Sequence, residues 1–380
     1  MLKNKIYNYL TIEILKNFII ILLTFTTIAW TVKAVNFLDL MIEDGYSAII
    51  YFKYSLLGIS SVITKFIPLS FLLSMIVSIS KFERQRELLI LWTTGLNKLK
   101  ITNIFFLIGF FIALSQILLS LIVNPLLLNK SRTLLRDTDV KQVDSILRSN
   151  DFSDTFKGIT FYVDERNSQN ELINIFIKDN SGNLSTIISE IDSSKNTTIF
   201  SKRGIIADDK LIMFEGTIQT LDEKKEIKNV DFEKTELSIS NFSNRTIKQP
   251  KIQETSSFEL MRCLIDKNVI QKIQNCTFKD NKKIAIEALS RRIGMPLYIP
   301  LISVISSFLL IYKKEKKLNF IKKYFVFISA FIILIFAEVL LRYVGFSFTN
   351  QILYFISPLI LLIILYLLLA KIMISERITR

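Results

Sequence analysis

The sequence predicts a membrane protein with six transmembrane α-helices and one inserted all-β domain of jelly-roll-like character. Composition is the first observation behind this fold class, because half of the 380 residues are hydrophobic and the chain contains 30 Phe. The second is the order of the apolar runs, which form two groups of three on either side of a long polar stretch. The third is that the polar stretch consists of short β-rich runs between turn residues.

Six apolar stretches are long enough to cross the roughly 30 Å of hydrocarbon in a bilayer. They cover residues 18–35, 56–79, 101–128, 293–311, 324–341 and 352–370. The first follows several lysines, as a signal peptide would, but residues 32–36 offer no small-residue cleavage site, so we interpret it as an uncleaved anchor. The chain then divides into helical parts at 1–128 and 291–380 and an inserted domain at 129–290.

The charged loops predict the orientation of these spans. Basic residues cluster between spans two and three and between spans four and five, and such short basic loops face the cytoplasm. The clusters are Lys81, Arg84, Arg86, Lys98 and Lys100, then Lys313, Lys314, Lys316, Lys317, Lys322 and Lys323. Both termini are therefore predicted to be cytoplasmic, and residues 129–290 to face outward.

The inserted domain is predicted to be an antiparallel sandwich or jelly roll, because several short β-rich runs alternate with Gly, Asn and Asp turns. The runs are residues 159–163, 172–177, 184–191, 197–200, 211–214, 217–221 and 237–239. From residue 257 to 292 the pattern is helical again and returns the chain to the membrane.

Several classes of function are excluded. The chain has no histidine, which removes the usual general base and the commonest metal ligand, so we expect no catalytic and no metal site. No stretch matches GxxxxGK[ST], so the chain is not itself a Walker-type ATPase and needs no cofactor. The net charge of +14 is concentrated beside the apolar segments, which indicates topology rather than nucleic-acid binding.

Cys263 and Cys276 lack CxxC spacing, and we expect a chance pair rather than a disulfide.

Residues 82–97 form the most informative of the basic loops. They predict a surface helix that ends at Gly95 as its C-cap, with Glu83 and Glu87 one turn apart. On the same helix Leu88, Leu91 and Trp92 form an apolar stripe that fits a partner's groove. The alternative is a helix that lies on lipid, and the mixture of Glu with Arg argues only weakly against it.

These segments resemble the LptF/LptG permease family, which extracts lipopolysaccharide from the bacterial inner membrane. Glu87 and Gly95 match the family's spacing of a glutamate eight residues before a glycine after the second span. Residues 66–73 resemble the preceding segment, residues 292–298 resemble the entry to the fourth helix, and the likeness covers nearly the whole chain. We favour the LptF side of the family. Arg84 and Arg86 depart from it by adding positive charge.

The resemblance implies a transport subunit in the inner membrane that performs no bond chemistry. It would pair with a homologous permease as a heterodimer, sit on a cytoplasmic ATPase dimer that uses the ATP, and pass lipid to single-span and periplasmic bridge proteins with jelly-roll domains. Residues 82–97 would be the coupling helix, with Glu83, Arg84, Glu87, Leu88, Leu91, Trp92 and Gly95 at the contact. The competing hypothesis is a membrane sensor or assembly scaffold whose β domain binds a ligand, and a membrane enzyme ranks third.

Charged residues inside the spans are costly and each requires a reason. We predict that Lys33 faces an anionic lipid headgroup, although a snorkelling lysine is the alternative. Lys65 is given no functional role. Glu338 and Arg342 stand four residues apart and are predicted to pair, with Arg342 shared with substrate.

Overall fold

The computed structural model describes residues 2–38, 47–141, 150–156, 158–167, 171–180, 196–207, 210–221, 227–238, 252–265, 279–311 and 316–378. Six of its helical stretches are long and apolar enough to cross a membrane, and they confirm the six predicted spans. They are Lys5–Asn36, Ala48–Arg84, Lys98–Leu135, Lys282–Leu310, Ile321–Tyr343 and Phe348–Glu376, here called spans 1 to 6. Each helix begins before the predicted apolar run, because helical hydrogen bonds also form between the polar residues that flank the run.

The helices are numbered in chain order. They are α1 Leu2–Asn36, α2 Ala48–Leu57, α3 Ile59–Arg84, α4 Glu87–Thr93, α5 Lys98–Leu118, α6 Asn124–Lys141, α7 Ser257–Ile265, α8 Lys279–Gly294, α9 Tyr298–Ser307, α10 Lys316–Tyr343 and α11 Phe348–Ile378. A π-helical segment, Leu119–Val123, joins α5 to α6 inside span 3. Short 3-10 turns at Met295–Leu297 and Phe308–Leu310 flank α9 in span 4.

The chain forms two compact units. The membrane unit contains Met1–Lys33, Leu57–Asn129 and Lys251–Arg380, and the second unit contains Ala34–Leu56 and Lys130–Pro250. Helix α9 is the centre of the membrane unit: all ten of its residues are buried, and it packs against α3, α5, α10 and α11. Small residues permit this close packing, since a Cβ on Gly109 of α5 would lie only 3.2 Å from the side chain of Ser303.

The second unit contains a six-stranded antiparallel sheet, which confirms the inserted all-β domain. Its strands are β1 Asp151–Phe156, β2 Ile159–Arg166, β3 Leu172–Asp179, β4 Asn196–Ala207, β5 Lys210–Leu221 and β6 Ile227–Ser238. The described strands pair in their sequence order, β1-β2-β3-β4-β5-β6, which is a meander without the crossover of a Greek key. The predicted run at 184–191 lies outside the described residues.

Strand β5 corrects one detail of the prediction. Residues 211–214 and 217–221 were expected to be separate strands, but they belong to one strand of 12 residues. Glu215 adopts a left-handed backbone (φ 52°), and a Cβ on Gly216 would lie 2.2 Å from the carbonyl oxygen of Phe200. The strand therefore continues through the left-handed residue Glu215 and Gly216, although this pair has the appearance of a turn in the sequence. Lys202 and Arg203 hydrogen-bond the Glu215 carboxylate and lower its pKa.

The predicted helical return to the membrane is confirmed by α7 and α8. Helix α7 begins with a reciprocal cap, since Ser256 Oγ accepts from the Glu259 amide at 3.1 Å and Glu259 accepts from the Ser256 amide at 3.2 Å. Cys263 is buried in α7 and disulfide-bonded, so the expectation of a chance pair is wrong for this residue. Cys276 lies outside the described residues. Cysteine spacing alone did not reveal the bond, because pairing depends on how the chain brings two residues together.

Candidate functional site: the corner between spans 2 and 3

The loop between spans 2 and 3 is a corner rather than one helix. Helix α3 ends at Arg84 and the seven-residue α4 begins at Glu87, so the predicted single helix over residues 82–97 is wrong. Arg86 stands at the corner with φ 60° and ψ 11°, a left-handed conformation that costs a non-glycine residue about 1–2 kcal/mol. The sequence carried no glycine at this point to announce the break.

The predicted cap at Gly95 is confirmed. Gly95 has φ +76°, its amide donates to the Trp92 carbonyl at 3.2 Å, and the Leu96 amide donates to the Leu91 carbonyl at 3.1 Å. These are the two hydrogen bonds of a Schellman motif, and both Leu91 and Leu96 are buried beside it. A Cβ on Gly95 would meet nothing within 4 Å, so glycine is required only by the backbone angle.

The predicted apolar stripe of α4 faces the protein's own core. Leu88 and Leu91 are 7% and 8% exposed and belong to the core of the membrane unit. Trp92 packs on that core, with the Lys98 ammonium 5.4 Å from its ring centroid. The exposed apolar residues of α4 are instead Leu89 and Ile90, at 49% and 57%. Helical periodicity identified the apolar face correctly but did not say whether that face meets a partner or the protein's own spans.

The two glutamates lie on different elements and have different partners within the chain. Glu87 opens α4 and accepts a hydrogen bond from the Tyr9 hydroxyl of span 1 at 3.1 Å. Glu83 lies in the last turn of α3 and pairs with Lys323 of span 5, with 2.8 Å between Nζ and Oε2. Beside them, Lys81 pairs with Glu13 of span 1. The corner is therefore joined by polar contacts to spans 1 and 5.

Two basic side chains of the corner lie exposed at the surface. Arg84 and Arg86 are exposed, as is Gln85 between them. Together with Leu89 and Ile90 they make up an exposed surface of apolar and positively charged character, here called the corner surface. Among the partners of the corner, sequence reasoning missed Tyr9 and Glu13, because the predicted first span began only at residue 18 and left them in a tail.

Lys33, predicted to bind a headgroup, lies half-buried near the end of span 1. Its ammonium donates to Ser61 Oγ of span 2 at 3.3 Å, and it interacts electrostatically with Lys65 on the same helix as Ser61. Lys65 is exposed, so two positive charges stand close together between spans 1 and 2. Sequence reasoning gave Lys65 no role, because only the packing of the two spans brings it near Lys33.

The predicted pair between Glu338 and Arg342 is wrong. Glu338 Oε1 pairs with Arg291 of span 4 at 2.8 Å, and Arg291 also lies 3.6 Å from Glu287. Arg342 is exposed and pairs with none of the described carboxylates. Glu338 thus pairs with a neighbouring helix instead of the residue one turn away, where an i,i+4 pair is worth only about 0.2–0.5 kcal/mol.

Six helices long and apolar enough to span a membrane, interrupted by an antiparallel β insertion, define a polytopic membrane protein. The sequence profile of the lipopolysaccharide export system permease LptF/LptG matches residues 8–374, and the chain belongs to this family. Among curated proteins, none matches the chain at a significant level. Membership implies a lipopolysaccharide export role for a transport subunit rather than a catalyst, in a multi-pass inner-membrane protein that works with other components of its export system.

Proposed function

We propose that this chain is one permease of a heterodimer that extracts lipopolysaccharide, or a similar anionic amphiphile, from the inner membrane and passes it to jelly-roll domains of a periplasmic bridge. A separate ATPase dimer supplies the energy and consumes the ATP, and this chain binds no cofactor. The observation that carries the proposal is the corner between spans 2 and 3, which combines an exposed surface with polar contacts to spans 1 and 5.

The corner belongs in the cytoplasm under this proposal. Its basic residues and those that precede span 5 obey the positive-inside rule, which also puts both termini inside and the six-stranded sheet outside. Reporter fusions test the orientation directly. A fusion at Lys316 should report a cytoplasmic position and a fusion at Asn180 an outward one, and the reverse result for either would refute the arrangement.

The corner surface supplies the contact with the ATPase. Leu89 and Ile90 fit an apolar pocket, while Arg84 and Arg86 require acidic groups at its rim. The inner face of α4 is anchored in the core by Leu91, so a push on the outer face moves the corner as one body. This arrangement revises the contact expected from the sequence, in which the buried stripe was to enter the partner.

Movement of the corner can be transmitted to two membrane spans through polar contacts. The Tyr9–Glu87 hydrogen bond and the Glu13–Lys81 pair lead to span 1, and the Glu83–Lys323 pair leads to span 5. Glu87 therefore acts within this chain as well as near the partner. Spans 1 and 5 would line a cavity that holds the lipid, and their displacement would narrow this cavity and drive the lipid outward.

Lys33 and Arg342 are the proposed contacts of the lipid headgroup. Lys33 is half-buried close to a second ammonium, that of Lys65, and this local positive charge would attract an anionic headgroup. Arg342 is exposed and has no described carboxylate partner, so its guanidinium can donate two hydrogen bonds to one phosphate.

Copurification tests the function as a whole. The complex is isolated from its native membrane in mild detergent, and its proteins and lipids are identified by mass spectrometry. We expect a homologous permease, an ATPase and lipopolysaccharide, and we expect ATP to release the lipid to a bridge protein. A complex that retains a signalling protein and no ATPase would refute the proposal in favour of a sensor.

A further inference from the structure

Arg292 is a buried cation whose partners among the described residues are all neutral. It lies in the last turn of α8 and is 8% exposed. Its guanidinium donates to the carbonyl oxygens of Ile252 (3.3 Å), Gln253 (3.3 Å) and Thr255 (3.0 Å) and to Oγ of Ser257 (2.6 Å). It pairs with none of the carboxylates in the described part of the chain. Burial of a charge without a counter-ion is unfavourable, and such residues in membrane proteins usually have a function.

The neighbour of Arg292 is the π-helical segment of span 3. A π-helical turn contains one more residue than an α-helical turn and is frequent at functional sites. The segment contacts the arginine once directly and once through a serine: Ser120 Oγ donates to the Arg292 carbonyl at 2.8 Å, and the Leu121 carbonyl accepts from Ser257 Oγ at 2.8 Å. Ser257 therefore links the guanidinium directly to the backbone of the π segment.

Span 2 holds the other end of the same segment. Asn124, the residue that follows it, donates from Nδ2 to Thr64 Oγ1 at 2.8 Å and accepts from the hydroxyl of Ser60. Thr64 and Ser60 both lie on α3. Polar side chains thus hold the irregular turn from both of its ends.

Two of the junctions between the units adjoin this point in the chain: the membrane unit ends at Asn129 before β1 and resumes at Lys251 after β6. Helix α6, which begins at Asn124, leads towards β1, and the segment held by Arg292 brings the chain back after β6. An ordinary contact between helices would require neither a buried charge nor an inserted residue. Their coincidence at the place where the chain leaves and re-enters the membrane unit indicates a device that controls helix register.

We propose that Arg292 and Ser257 form a latch that holds span 3 in its π-helical register. When the latch opens, the Leu121 carbonyl loses its side-chain partner. The π-helical segment can then change to regular α-helical hydrogen bonding, which removes the one-residue insertion. One residue corresponds to a rotation of about 100°, so α6 turns relative to α5 while the return segment is freed. The consequence for export rests on the proposed function: the latch keeps span 3 and the return segment before α7 in one arrangement during transfer.

Hydrogen exchange of the full chain in nanodiscs tests the latch without substrate or ATP. The variants are Ser257→Ala and Arg292→Lys, since lysine keeps the charge but cannot reproduce the guanidinium fork. The matched control is Ser115→Ala on α5, whose hydroxyl donates only within its own helix, to the Ile112 carbonyl at 2.8 Å. We expect amides of residues 119–128 to exchange roughly tenfold faster in Ser257→Ala and faster still in Arg292→Lys, with α9 and the control unchanged.

Two results would overturn the latch. One is unchanged exchange at residues 119–128 in Ser257→Ala, and the other is an equal rise in every span, which indicates general destabilisation. Export is then compared in the reconstituted complex, where we expect Ser257→Ala to lower the lipid released per ATP. Full export together with raised local exchange would refute the role in transfer. A wild-type complex that moves no lipid would refute the proposed function and leave the exchange result to decide the latch.

Discussion

Two alanine substitutions at adjacent positions of α4 decide which face of this helix meets a partner. Ile90 is 57% exposed and Leu91 is 8% exposed, although both are aliphatic and lie on the same seven-residue helix. If the corner surface is the contact, Ile90→Ala should weaken ATPase binding and leave the fold intact. Leu91→Ala should do the opposite and damage the fold first.

The magnitudes follow from burial. Leu91 belongs to the core of the membrane unit and to the cap of α4, so its truncation should cost about 2–5 kcal/mol of stability. More than half of the Ile90 side chain is exposed, so Ile90→Ala should change the free energy of unfolding by no more than about 0.5 kcal/mol. At the centre of a partner's pocket the same truncation should cost at least about 1.4 kcal/mol of binding, or roughly tenfold in Kd.

The assay measures both quantities on the same preparations. Thermal unfolding of the purified chain gives stability, and titration with the ATPase at equal membrane abundance gives affinity. Ile90→Ala should keep the wild-type unfolding midpoint and lose affinity, and Leu91→Ala should lower the midpoint. Weakened binding in Leu91→Ala at an unchanged midpoint, with full binding in Ile90→Ala, would refute the assignment and restore the stripe expected from the sequence.

Four further predictions follow from named contacts. Lys33→Glu should impair lipid release far more than Lys33→Arg, because the proposed role is attraction of an anion, and equal release at equal abundance would remove Lys33 from the site. Tyr9→Phe removes the 3.1 Å bond to Glu87 and should lower lipid released per ATP while ATPase binding persists, which a coupled transport assay would show. Gly95→Ala should cost about 1 kcal/mol in thermal unfolding, because only its φ of +76° opposes a side chain, and Gly95→Asn should cost less. Gly294→Ala should cost about 1–3 kcal/mol, because its Cβ would lie 2.1 Å from the buried ring of Tyr354, and an unchanged melting midpoint would contradict that packing.

The corner shows how far sequence reasoning reached at the candidate site. Gly95 was predicted correctly because a positive φ at a helix end is a local demand that glycine satisfies by itself. Arg86 adopts the same backbone region without a glycine, so the break before α4 left no mark in the sequence. The contacts of Glu83 and Glu87 were missed because they connect residues more than 70 positions apart.

The sequence by itself determined the six spans, the inserted β unit and the cap of α4. Each depends on local physics: a bilayer accepts only long apolar helices with satisfied backbones, and alternating β-branched runs between turns form strands. The tertiary structure alone decided the inward face of α4, the pairing of Glu338 with Arg291 and the enclosure of Arg292. These features depend on which helices lie side by side, because a buried face or charge takes its partner from whatever element packs against it, at any distance along the chain.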